Sequence, residues 1–158
     1  MTASSRQDED FLQQAIEASQ ASVDEGGFPV GALIVQNSVI IAESISNGKA
    51  LHDPTSHAET AAIRAACADL KTRSLKDCVL YSSMEPCLMC IAASSWASIP
   101  RIVFAISRNK LDKQHFEGTH NLADISSRFR KPIELLHLSK YEPAGLEIIR
   151  SWESRAKP

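Results

Sequence analysis

Two short stretches, His57-Ala58-Glu59 and Pro86-Cys87-Leu88-Met89-Cys90, constrain this chain more than anything else in it. One imidazole and two thiols make three ligands for zinc, and a catalytic zinc has three protein ligands plus one open position. Cys87 and Cys90 are three apart, directly after Pro86, a residue suited to the start of a helix. A helix beginning there sets both thiols on one face of its first turn, where the positive end of the dipole favours thiolates. His57 follows the turn-like Asp53-Pro54-Thr55 and opens a helical run over residues 58–68. Glu59 is the odd member. As a fourth ligand it would close the site, whereas beside an open position a carboxylate handles the protons of a bound water. A lone Cys-x-x-Cys also suits redox chemistry; joined to His57 and Glu59 it points to a catalytic zinc, with a closed structural zinc as the other reading.

The pattern His-x-Glu … Pro-Cys-x-x-Cys is the signature of zinc deaminases of nucleobases. Phe28-Pro29-Val30-Gly31-Ala32, Asp53-Pro54-Thr55-Ser56-His57-Ala58-Glu59, Leu80-Tyr81 and Glu85-Pro86-Cys87-Leu88-Met89-Cys90 carry a wider likeness. In them the chain resembles the cytidine deaminase-like superfamily, in the branch of bacterial guanine deaminases, tRNA adenosine deaminases and fungal cytosine deaminase. The resemblance covers residues 8–110 and only the general character of the tail. It implies an α/β fold, a three-layer α/β/α sandwich with a central five-stranded mixed sheet. It implies a zinc held by His57, Cys87 and Cys90 between the starts of two helices, with Glu59 as the catalytic proton shuttle. It also implies a homodimer.

A chain of 158 residues fits a single domain, 1–158, and is long enough to bury a core. No apolar run approaches the length that spans a bilayer, so no membrane partner is expected, and residues 1–9 are polar rather than signal-like. Cys67 and Cys78 read as buried small apolar residues rather than disulfide partners, which suits a reducing cytoplasm. With 17 Lys and Arg against 19 Asp and Glu, the chain lacks the basic excess of a nucleic-acid binder.

Apolar spacing predicts a helix over 8–25 ended by Gly26-Gly27, then a hairpin of strands 30–35 and 39–42. A polar loop over 44–54 leads to a helix over 57–70, packed through Ala61, Ala62, Ile63 and Ala66. A strand over 79–83 runs into a helix from Pro86 to Ala97, followed by a strand over 101–106 and a polar loop over 107–121. Residues 133–138 read as a last strand and 143–155 as a last helix. This alternation predicts helices on both faces of one sheet, with the site in a crevice at its strand ends.

Candidates for holding substrate are Asn47, Trp96, Arg108 and Trp152. Asn47 precedes His57, where the resembled branch uses an asparagine to hold the base. The spacing is one residue short, so Ser46 shares the role or the loop is rebuilt, and Asn-Gly is also simply a good turn. Trp96 reads as core or as a pocket wall, and His52 as a loop residue. Arg108 reads as a partner for a substrate carbonyl, carboxylate or phosphate, or as a solvated cation. Trp152, with Glu153, lies on a segment, 143–158, that folds over the pocket in small-base deaminases; helix packing is the other reading. The acidic balance, the long C-terminal segment and Ser94-Ser95-Trp96-Ala97, which resembles the guanine branch, favour hydrolytic deamination of a free nucleobase or nucleoside, an exocyclic amine becoming a carbonyl with release of ammonia. Guanine is the first expectation and cytosine the second. The alternative is a tRNA adenosine deaminase acting at the wobble position. A third reading, an inactive zinc-binding structural or regulatory subunit, has no use for an intact Glu59.

Overall fold

A computed structural model of the chain describes residues 4–156. The extreme ends of the expected domain 1–158 and of the segment 143–158, and the first three residues of the polar start, lie outside the described residues. Helix α1 (Arg6–Asp24) begins ahead of its apolar stripe because Ser5 caps it. The Ser5 hydroxyl accepts from the Asp8 amide, and the Asp8 carboxylate accepts from the Ser5 amide. Such a reciprocal cap contributes about 1 kcal/mol. Strands β1 (Gly31–Gln36) and β2 (Val39–Ile45) form the expected hairpin. Asn37 and Ser38 take φ of 50° and 62°, the left-handed pair that a type I′ two-residue turn requires.

The expected loop before His57 holds one turn of helix, α2 (Gly48–Leu51), and then comes α3 (Ala58–Asp69). Strand β3 (Cys78–Met84), helix α4 (Leu88–Trp96) and strand β4 (Arg101–Ile106) follow as the sequence predicts. The polar stretch after β4 is organised by two 3-10 turns, Arg108–Lys110 and Lys113–His115. Helix α5 (Leu122–Ser127), capped by the Asn121 side chain, is too short for its period to show in the sequence. Strand β5 (Glu134–His137) and helix α6 (Glu142–Ala156) complete the described chain.

The sheet order is β2-β1-β3-β4-β5. β1 is antiparallel to both neighbours, while β3, β4 and β5 are parallel, so the sheet is mixed. α1 and α6 cover one face; α3 covers the other, with α4 and α5 beside it. This is the expected three-layer sandwich. α3 lies on the sheet through Ala58, Ala62 and Ala66, four apart and fully buried, so only methyl groups separate helix from strands. α6 approaches β4 at Gly145, where a Cβ would stand 2.6 Å from Ile106 Cδ1.

One polar cluster is built into the α1 side. The Tyr81 hydroxyl donates to Asp8 Oδ1 at 2.8 Å, and Arg101 grips both Asp8 oxygens at 2.6 and 3.0 Å. Burial pushes the Asp8 carboxyl up. The Arg101 guanidinium, the Ser5 amide and the Tyr81 hydroxyl outweigh it and hold Asp8 well below the usual carboxylate range. Among the described residues no helix is long and apolar enough to cross a membrane.

Candidate active site

β3 ends at Met84, and Glu85-Pro86 turns the chain so that Cys87 caps α4 and Cys90 falls in its first turn. α3 opens in the same manner, with His57 at its N-cap. The Thr60 hydroxyl accepts from the His57 amide at 2.9 Å and donates to the Thr55 carbonyl at 2.6 Å, which fixes the entry of the histidine. The two helix starts meet. His57 Nδ1 lies 3.5 Å from Cys87 Sγ and 3.6 Å from Cys90 Sγ, and the sulfurs are 3.5 Å apart.

Zinc–sulfur bonds of about 2.3 Å and a zinc–nitrogen bond of about 2.0 Å, at tetrahedral angles, separate ligand atoms by roughly 3.5–3.8 Å. The triangle has the size that one zinc ion fills. Donor chemistry agrees. The hydrogen bond from the Cys90 thiol, with His57 beside it, holds Cys87 well below the ordinary thiol range against the pull of burial. Cys90, giving that hydrogen bond and itself buried, is pushed up. By themselves the two thiols share one charge; a divalent cation lets both ionise. The residues present fit zinc.

Glu59, on the first turn of α3, is 4% exposed. Its Oε1 accepts from the Ser82 hydroxyl at 3.1 Å, and its Oε2 lies 3.5 Å from Cys90 Sγ. Burial pushes its carboxyl up. A cavity of about 280 Å³ opens over the cluster, walled by Phe28, Ser46, Glu85 and Gln114-His115-Phe116, with His57, Glu59 and Cys87 at its base. That volume lies at the small end of ligand sites, which run from about 300 Å³ upward. A larger cavity, about 560 Å³, lies behind Arg108 and Phe116 and is lined by none of the metal-cluster residues.

The four expected substrate residues fall in four different places. Asn47 braces the loop ahead of His57: its Oδ1 accepts from the Ser56 hydroxyl at 2.6 Å, and it is Ser46 that lines the cavity. Arg108 acts on the wall from behind. Its Nε and its amide each donate to Glu85 at 2.9 Å, and its guanidinium lies 4.6 Å over the Phe116 ring. Trp152 packs edge-on against Phe28, with ring centres 5.1 Å apart, and against His115 at 5.9 Å. Phe28 and His115 thus line one side of the cavity with Trp152 packed against both, and Glu153 Oε1 stands 3.5 Å from His115 Nε2. Trp96 requires a correction. It stands at the far end of α4, about 13 Å along the axis from Cys87 and 84% exposed, outside the cavity wall and outside the core. Nine residues of straight helix carry it away from the metal.

Sequence reasoning missed Ser82, His115 and Phe116. Ser82 had a signal, since alternation along a strand puts it on the α3 side whenever Tyr81 faces α1. His115 and Phe116 had none, because they sit in an aperiodic loop that only the tertiary fold brings to the site.

Residues 5–106 match the family described as the cytidine and deoxycytidylate deaminase zinc-binding region. The chain is 47% identical to the guanine deaminase of Bacillus subtilis (strain 168) over 127 residues, 80% of this chain and 79% of that one. It is 39% identical to the tRNA-specific adenosine deaminase of Aquifex aeolicus (strain VF5) over 105 residues, 66% and 67% of the two chains. A solved structure from studies of A-to-I editing by tRNA:A34 deaminases superposes with a TM-score of 0.77 at 28% identity, over 89% of this chain and 99% of that one. The matched stretch holds the whole constellation from His57 to Cys90, and the chain belongs to the cytidine and deoxycytidylate deaminase zinc-binding family, as a zinc-dependent hydrolytic deaminase of the nucleobase and nucleoside type.

Proposed function

We propose that this enzyme deaminates a free nucleobase, with guanine as its substrate. The observation that carries the reading is the small cavity, about 280 Å³, walled on one side by Phe28 and His115, with Trp152 packed edge-on against both rings. Such a site takes one planar heterocycle between aromatic walls and leaves little room for a nucleotide held in a chain. Similarity to a guanine deaminase over four fifths of both chains supports the same substrate.

In this reading His57, Cys87 and Cys90 hold the zinc, which when bound supplies Lewis-acid activation of water at neutral pH. Glu59 moves the protons. It takes one from the attacking water and passes it to the ring nitrogen beside the reacting carbon, then carries the second, from the newly added hydroxyl, to the amine as the carbon–nitrogen bond breaks. Ammonia leaves and a carbonyl remains. Ser82 holds Oε1 of Glu59 and so aims the other oxygen toward the metal cluster. Phe28 and His115 stack on the base, and α6, through Trp152, keeps water out. Arg108 fixes Glu85 in the wall.

Ammonia release by the zinc-loaded protein, measured against guanine, cytosine, adenosine, cytidine and tRNA, tests the substrate. Guanine is expected to give the highest kcat/KM. Deamination of the wobble adenosine in tRNA, with no turnover of any free base, would replace this reading with the alternative that the Aquifex aeolicus relative suggests.

A further inference from the structure

The zinc cluster follows the carboxyl end of β3, and the next two parallel strands, β4 and β5, end at the second cavity, about 560 Å³. Crevices at such strand ends are where α/β sheets take ligands. Phe104, Leu111, Leu122 and Leu135 give this cavity apolar walls. The His137 ring lies flat on Phe104, with centres 5.0 Å apart and planes 7° from parallel. Its charge is one-sided. Glu85 is the one carboxylate lining it among the described residues, and both Glu85 oxygens are taken: Oε1 by Arg108 Nε, Oε2 by the Arg108 amide and the Ser107 hydroxyl. Lys113 also lines the cavity, exposed and without an ion pair among the described residues. Arg108 adds a buried nitrogen, Nη1, that has no acceptor among the described residues.

Apolar walls with a few convergent donors suit a small molecule that is mostly apolar and carries one anionic group. We propose that this cavity is an effector site for a monocarboxylate with a flat apolar body. One ammonium and one guanidinium nitrogen match the two oxygens of a carboxylate, and the body lies against Phe104 and Leu135. A bare anion would leave those walls in water, and a neutral ring would leave Nη1 without its acceptor. The site reaches the chemistry through a shared wall. Glu85 and Phe116 line both this cavity and the one over the zinc cluster, and Arg108 holds both, bonded to Glu85 and 4.6 Å over the Phe116 ring. A carboxylate bound behind them steadies the wall in front, so effector and substrate each tighten the binding of the other.

Titration calorimetry of the zinc-loaded chain with benzoate, acetate and benzyl alcohol tests the site without reference to any substrate. Benzoate is expected to bind with a dissociation constant on the order of 0.1 mM, and the other two at least about tenfold more weakly. Lys113→Glu and Leu135→Glu are each expected to weaken benzoate at least about tenfold with zinc content unchanged, which separates this cavity from the metal. Lys113 is exposed, so its variant keeps the test open should Leu135→Glu unfold. For the base that the ammonia assay returns, saturating benzoate should lower KM about fivefold, and that base should tighten benzoate on the zinc-loaded Glu59→Gln protein by the same factor. No binding at millimolar benzoate, binding unchanged by Lys113→Glu, or a KM that does not move overturns the proposal. So does acetate binding as tightly as benzoate, which would leave only a surface cation at work.

Discussion

Tyr81 and Ser82 are neighbours on β3 and point to opposite faces of the sheet. Tyr81 donates to Asp8, which Arg101 grips with two nitrogens, and all the charges of that cluster have partners within the chain. Ser82 donates to Glu59, beside two thiols 3.5 Å apart and an imidazole within 3.6 Å of both. Both clusters are buried and both are polar, yet the first is complete as a protein and the second is complete only with a cation. Buried groups that close on themselves hold a fold together; buried groups that leave a valence open do chemistry.

That contrast can be broken from either side. Replacing both thiols, Cys87→Ser with Cys90→Ser, removes two of three zinc ligands. Metal analysis should find zinc falling from one per chain to none, with turnover gone; an unchanged zinc content would move the metal elsewhere. Glu59→Gln keeps size and hydrogen bonding but removes the proton acceptor. Turnover should drop at least about 100-fold with zinc retained, and near-normal turnover would hand the proton transfer to another group.

Asp8→Ala should have the reverse signature. It removes both short bonds to Arg101, which keeps only the 3.3 Å contact with Glu134, and should cost about 2–3 kcal/mol in denaturant unfolding while the folded protein keeps its zinc. The pH dependence follows from the depressed Asp8 value. Stability from this carboxylate is present above the unfolded value of about 3.9 and is lost as pH falls below it toward the lower folded value. An Asp8→Asn variant should show less of that acid loss, and equal acid loss would place it in other carboxylates. Ser82→Ala should have the smallest effect, about a tenfold fall in kcat, as expected for one hydrogen bond to a charged group, with zinc content unchanged.

How far these features can be read from the chain alone depends on their distance in sequence. The metal ligands were legible because each is tied to a helix start, and capping chemistry is local. The alternation of helix and strand gave the layers for the same reason. The cavity wall was not legible. His115 reaches the site because α6, through Trp152 and Glu153, meets a loop that carries no period, the His115–Glu153 contact spanning 38 residues. Trp96 shows the opposite failure. The resemblance to guanine deaminases suggested a pocket wall and its helical position suggested core, but nine residues of helix carry it clear of both.

The methyl stripe of Ala58, Ala62 and Ala66 has a further consequence. It sets the height of α3 above the strands, and with it the reach of His57 toward two sulfurs carried by a different helix. Any larger side chain at Ala62 would have to lift the helix, and the imidazole would move with it. Metal affinity in this protein is therefore a gauge of core packing, and loss of zinc can report a change made in the interior without touching a ligand.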